Sequence, residues 1–224
     1  MSSLLQMLFP TTCLICALPG PWLCNPCEEK ISRVPTGGEI GGMKLWAGAY
    51  YGDELSQLIL LAKEQNSAPA RNYLAQLIVE AFMSAAIIPI QGSAVTLIPI
   101  PSSSAANRQR GFRHSYLLAR RTASLIERAT SQQVEVKEGL RVNRKIADQS
   151  NLNRGERERN LSGAYSVDNR HIRRSTQQVP ERIFLIDDLV TSGSSIREGL
   201  RALQELGITP CGVLAAGVSP RVFS

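Results

Sequence analysis

Residues 182–195 read Arg-Ile-Phe-Leu-Ile-Asp-Asp-Leu-Val-Thr-Ser-Gly-Ser-Ser, and this stretch limits the chain's fold more than any other. Four consecutive apolar residues, 183–186, suit a strand covered on both faces, as in a parallel sheet. Asp187 and Asp188 follow at its carboxyl end, where open α/β sheets bind ligands. Thr191, Ser192, Gly193, Ser194 and Ser195 then form a small, hydroxyl-rich loop, and the pattern predicts a helix over 196–206. Backbone N–H groups at such a turn attract an anion, and the hydroxyls add donors. One segment therefore offers a phosphate cradle beside an acidic pair fit for hydroxyls or a metal ion. The plainer alternative is a strand-to-helix turn with a Ser/Thr N-cap. It leaves unexplained two carboxylates at the mouth of a buried strand.

A second pattern lies near the other end. Cys13-Leu14-Ile15-Cys16 and Cys24-Asn25-Pro26-Cys27 form two C-x2-C pairs separated by seven residues. Four thiolates at this spacing can close a tetrahedron around Zn2+, and four protein ligands leave no open position, so such a metal is structural. Pro19-Gly20-Pro21 and Trp22 suit a turn with one apolar anchor. Disulfides and a redox C-x-x-C are the rival chemistries. Residues 1–10 show no basic segment and no clean cleavage site, which favours a cytoplasmic chain with reduced thiols. Cys211, in an apolar run, is expected to be a small buried hydrophobe.

At 224 residues the chain can bury one main core and carry a small appendage. The expected division is a cysteine module over 1–35 and an α/β domain over 36–224. Charge is uneven. Residues 1–100 hold 5 Lys/Arg and 7 Asp/Glu, and residues 101–224 hold 20 and 12, which together give the net +6. A basic half suits a polyanionic ligand such as pyrophosphate or nucleic acid, and equally a solvated basic face. No membrane span is expected. The apolar run 81–101 is cut by Pro89, Gln91, Gly92, Pro99 and Pro101.

Periodicity predicts strands over 45–51, 94–100, 134–142, 161–167 and 209–218, and helices over 54–64, 71–85 and 115–129. Residues 102–114 and 169–180 read as polar loops, and 144–160 as a charged segment. Strands alternating with helices imply a doubly wound, parallel sheet. The first loop contains Asn107-Arg108-Gln109-Arg110-Gly111-Phe112-Arg113. It follows a buried strand, so it should share the carboxyl edge with Asp187 and Asp188. Arg108 and Arg110 can fork onto phosphate oxygens, and Gly111 permits a tight turn. A solubilising loop is the alternative. His114 and His171, in no triad-like setting, are expected at the surface.

The strand, Asp-Asp and Thr-Ser-Gly-Ser-Ser sequence resembles the phosphoribosyl-pyrophosphate (PRPP) motif of type I phosphoribosyltransferases. With the cysteine knuckle and the Arg-x-Arg-Gly-Phe loop, the chain resembles the ComF family of phosphoribosyltransferase-like proteins, GntX-type members included. Arg144, Gln149, Leu152, Arg157, Asn160, Gly163, Ala164 and Tyr165 follow that family's spacing, and Lys63 matches a lysine ending an early helix. Three stretches differ from the family pattern: Ser102-Ser103-Ser104, Arg113-His114 and Glu64-Gln65-Asn66. The resemblance implies a type I phosphoribosyltransferase-like fold with an N-terminal four-cysteine zinc module. It implies that Asp187 and Asp188 contact ribose hydroxyls and that residues 191–195 wrap the 5′-phosphate. Lys63, Arg108 and Arg110 would take pyrophosphate with Mg2+. The implied reaction is phosphoribosyl transfer to a nitrogen acceptor. The alternative it implies is a non-catalytic single-stranded DNA-binding accessory of competence and DNA uptake, with competence-machinery proteins as partners. Aromatic content of 5% is thin for a base-stacking platform. The family fold often pairs, which implies a homodimer.

Overall fold

The computed structural model describes residues 11–34, 37–85, 94–143, 163–168 and 182–222. Residues 144–160, His171 and the 169–180 loop, all singled out above, lie outside them. The described elements run α1 (Asn25–Glu28), β1 (Gly38–Ile40), β2 (Met43–Tyr50), α2 (Asp53–Glu64), α3 (Ala68–Ser84), β3 (Val95–Pro99), α4 (Ser104–Arg110), α5 (His114–Thr130), β4 (Val134–Val136), β5 (Leu140–Val142), β6 (Tyr165–Val167), β7 (Arg182–Val190), α6 (Ser194–Gln204) and β8 (Gly212–Val218). The main sheet has the order β1-β2-β8-β7-β3-β4. Its pairs from β2 to β4 are parallel, and β1 is an antiparallel edge. The fold is thus α/β with a mostly parallel sheet, as expected.

Strand alternation divides the core between two faces. Leu97, Phe184, Ile186 and Leu214 pack with Leu58, Leu74, Leu77, Leu118 and Ile126 of α2, α3 and α5. Ile98, Leu185, Val213 and Ala215 pack on the other side with Ile196, Leu200 and Leu203 of α6. Burying each large side chain contributes about 1.5–3 kcal/mol, so the apolar run in β7 is held from both faces. Phe184 meets Phe82 edge-on, centroids 5.9 Å apart. Gly48 lets α3 lie directly on β2, since a Cβ there would sit 2.4 Å from the Leu77 carbonyl oxygen.

The crossovers make a switch point. After β3 the chain passes through α5 on one face to β4, and after β7 it passes through α6 on the opposite face to β8. The connections diverge between β3 and β7, which opens a crevice at their carboxyl ends.

Several expectations need correction. Residues 134–142 are two strands. β4 extends the main sheet, whereas β5 leaves it after Gly139 and pairs antiparallel with β6. Part of the expected loop 102–114 is helix α4. Ser103 Oγ accepts from Ala106 N at 3.1 Å, and Gly111 ends the helix at φ +75°. The last strand starts at Gly212, and Cys211 just before it is exposed. No helix among the described residues is long and apolar enough to cross a membrane.

Candidate functional site

Asp187 and Asp188 end the central strand at the switch point. Asp188 is 7% exposed. Its Oδ2 is engaged twice, by Lys63 Nζ at 3.3 Å and by His114 Nε2 at 3.1 Å. Asp187 Oδ1 accepts from the backbone N–H of Asp188 at 2.9 Å. The two acids are driven apart electrostatically. Burial, then the charge on Asp188, pushes Asp187 well above the usual carboxylate range. Burial also acts to raise Asp188, but the Lys63 ammonium and the His114 hydrogen bond outweigh it and hold Asp188 below that range. Asp188 reciprocally raises Lys63. The surroundings thus favour the anion at Asp188 and disfavour it at Asp187.

The loop that follows is built for close approach. Gly193 has φ +73°, where a side chain is strained, and a Cβ there would lie 1.8 Å from Ile40 Cδ1, which would have to shift. Ser192 Oγ and Ser194 Oγ are 2.9 Å apart, and Arg197 Nη2 donates to the Ser192 carbonyl at 2.9 Å. The first-turn N–H groups of α6 have no intrahelical acceptor and face the crevice end of the sheet.

The β5–β6 strand pair is fixed on α6. Glu198 accepts from Tyr165 N at 3.0 Å, and Arg201 bridges Glu198 and the Tyr165 carbonyl. The buried Tyr165 hydroxyl sits against Ser195, and burial raises its pKa.

Lys63, expected on pyrophosphate, lies 3.3 Å from Asp188 Oδ2. Arg110 donates to both oxygens of Glu64, at 3.1 and 3.0 Å, and this hydrogen bonding lowers Glu64. Arg108 is exposed. Beside β3 lies a cavity of about 600 Å³ whose lining includes Ser102, Asn107, Arg113 and Tyr116. Its lining does not include the acidic pair. The perturbed carboxyls lie at the end of β7, directly before the 191–195 loop.

His114, expected at the surface, is 1% exposed and touches Asp188. The signal was periodic. Leu118, Thr122 and Ile126 mark the buried face of α5 every fourth residue, and His114 is the preceding member of that series.

At the N-terminus the four thiols of Cys13, Cys16, Cys24 and Cys27 lie within 4.8 Å of one another. Cys16 and Cys24 sulfurs are 3.7 Å apart, close to the edge of about 3.8 Å for a tetrahedron with zinc bonds of about 2.3 Å. Burial, then the neighbouring thiols, pushes Cys27 up to about 12, the direction expected where thiols crowd together. The donor set fits a metal ion such as Zn2+. The module is anchored by Leu14, Ile15 and Leu23 against the main core and by Gln57 donating to the Leu14 carbonyl at 2.9 Å. Trp22, the expected anchor, is 51% exposed.

No protein-family model matches the chain, and no curated protein matches it. Among solved structures, it is similar to the orotate phosphoribosyltransferase from Aeropyrum pernix at 12% identity, with a TM-score of 0.31, over 87% of this chain and 90% of that one.

Proposed function

We propose that this chain binds PRPP with Mg2+ and transfers its phosphoribosyl group to a nitrogen acceptor, releasing pyrophosphate. The observation that carries the reading is the convergence, at one switch point, of an electrostatically split Asp pair and a Gly193-dependent anion loop. Residues 191–195 take the 5′-phosphate, and Asp187 and Asp188 take the ribose hydroxyls. Arg108 faces solvent and is available to pyrophosphate. Lys63 and Arg110 act through Asp188 and Glu64 unless the ligand draws them away. When bound, Mg2+ neutralises charge on the leaving pyrophosphate, and phosphate oxygens with one or two carboxylates are the donors it favours. The C1–O bond to pyrophosphate breaks, the acceptor N–C1 bond forms, and the acceptor's proton leaves to solvent. Positive charge developing at C1 is stabilised by the Asp188 anion. The cysteine module over 1–35 holds structural Zn2+, and residues 36–224 carry the transfer site.

Pyrophosphate release tests the transfer step. With PRPP, Mg2+ and a panel of purines, pyrimidines and small amines, at least one acceptor is expected to give release above PRPP hydrolysis. Omitting Mg2+ or introducing Asp187→Asn should reduce it on the order of 100-fold. Release indistinguishable from hydrolysis across the whole panel removes the transferase step and leaves a PRPP-binding protein.

A further inference from the structure

We infer that His114 is a positioning residue for Asp188: with Lys63 it occupies one carboxylate oxygen and so presents the other to the ribose of the phosphoribosyl ligand. The inference rests on the function proposed above. Three separate elements deliver the contact, His114 from the start of α5, Lys63 from the end of α2 and Asp188 from β7. Both contacts fall on Oδ2, at 3.1 and 3.3 Å, and neither falls on Oδ1. Asp188 is held as an anion, so it accepts and His114 Nε2 is the donor.

Packing alone does not account for an imidazole here. The position belongs to the buried stripe of α5 with Leu118 and Ile126, where an apolar side chain serves the core best. His114 Nδ1 is buried without a hydrogen-bond partner among the described residues. A buried polar atom left unpaired is a net cost to the fold. The ring's one satisfied contact is with Asp188. Its sequence neighbours Arg113 and Ser115 line the cavity beside β3, while the His114 ring is turned onto Asp188. Ring and ammonium together stop the Asp188 carboxylate from rotating, and a site held by packed helices and a central strand keeps its geometry before the ligand arrives.

The test is calorimetric titration of three probes, ribose 5-phosphate, PRPP with Mg2+ and inorganic pyrophosphate with Mg2+. Each goes into wild type, His114→Leu and His114→Gln. Leucine fills the space without a donor, and glutamine restores one N–H. His114→Leu is expected to weaken ribose 5-phosphate and PRPP about tenfold while pyrophosphate changes less than about twofold, and His114→Gln is expected to recover most of the loss. A folded His114→Leu protein that binds all three probes as wild type does overturns the inference. So does uniform weakening of all three, the mark of a merely structural residue. Wild type that binds neither ribose 5-phosphate nor PRPP overturns the phosphoribosyl reading itself and takes this inference with it. Should His114→Leu not fold, ¹⁵N spectra of wild-type histidines decide. The chain has two histidines, and His114 is assigned from His114→Gln. Its Nε2 signal is expected to shift on saturation with ribose 5-phosphate, and an unmoved signal contradicts the role.

Discussion

Stripping Zn2+ from the cysteine knuckle is expected to lower the melting temperature by about 10 °C and to release one zinc per chain. Cys13 and Cys27 are buried, and the four sulfurs converge from the two C-x2-C turns. Backbone bonds such as Cys13 N to the Leu18 carbonyl and Leu14 N to the Trp22 carbonyl shape the turns but enclose almost no apolar volume of their own. Without the ion, burial and mutual proximity leave thiols such as Cys27 protonated, and the cross-link is lost. Leu14, Ile15, Leu23 and Ile31 would then peel from the main core. Their partial exposure costs on the order of 3–5 kcal/mol, at about 25 cal/mol per Å² of apolar surface. For a chain of this length each kcal/mol moves the melting temperature by about 2–4 °C. Metal content by plasma emission and thermal unfolding of Cys13→Ser and Cys27→Ser check this. A metal-free wild type that melts at the same temperature as the zinc-loaded protein would contradict it.

The two acids should respond oppositely to amide substitution. Asp188→Asn is expected to destabilise the protein by about 1–3 kcal/mol, because it weakens the acceptor facing buried His114 and removes the counterion of Lys63, which is a third exposed and keeps part of its hydration. Lys63 would lose its close counterion, and His114 would face a weaker acceptor. Asp187→Asn is expected to be neutral or mildly stabilising at pH 7, since burial already disfavours the Asp187 anion. The pH signs differ as well. The folded value of Asp188 lies below its unfolded one, so its stabilisation is complete above about pH 4 and is lost as pH falls through the folded value. The folded value of Asp187 lies above its unfolded one, so stability declines as pH rises from about 4 through that raised value. In Asp187→Asn that decline should disappear. Denaturant unfolding of both variants across pH 3–9 would show it. Equal destabilisation by the two substitutions would mean that the pair is not split as described.

What the sequence made legible was what local chemistry encodes. The β7 run, the acid pair and the glycine loop could be placed because apolar continuity, adjacent carboxylates and a hydroxyl-rich turn are contiguous in the chain. The four cysteines were legible for the same reason. Long-range partners were not. Nothing near Lys63 in sequence indicates that it ends on Asp188, or that Glu64 takes Arg110, because the first contact depends on how the end of α2 meets β7 and the second on how it meets α4. Helix α4 was hidden by polarity, although Ser103 and Gly111 mark its two ends. His114 was hidden by an assumption about polar residues, although the spacing to Leu118 placed it on the buried face. Cys211 falls outside the buried strand because β8 begins at Gly212, three residues after the expected start at residue 209.

The central claim is that the split acid pair and the loop of residues 191–195 form a phosphoribosyl site. Calorimetric titration of PRPP with Mg2+ into zinc-loaded wild type and into Asp187→Asn tests it most directly, since that variant should keep the fold. Saturable binding by wild type, weakened on the order of 100-fold in Asp187→Asn, is the expected result. Folded, zinc-loaded wild type that takes up no PRPP would contradict the account.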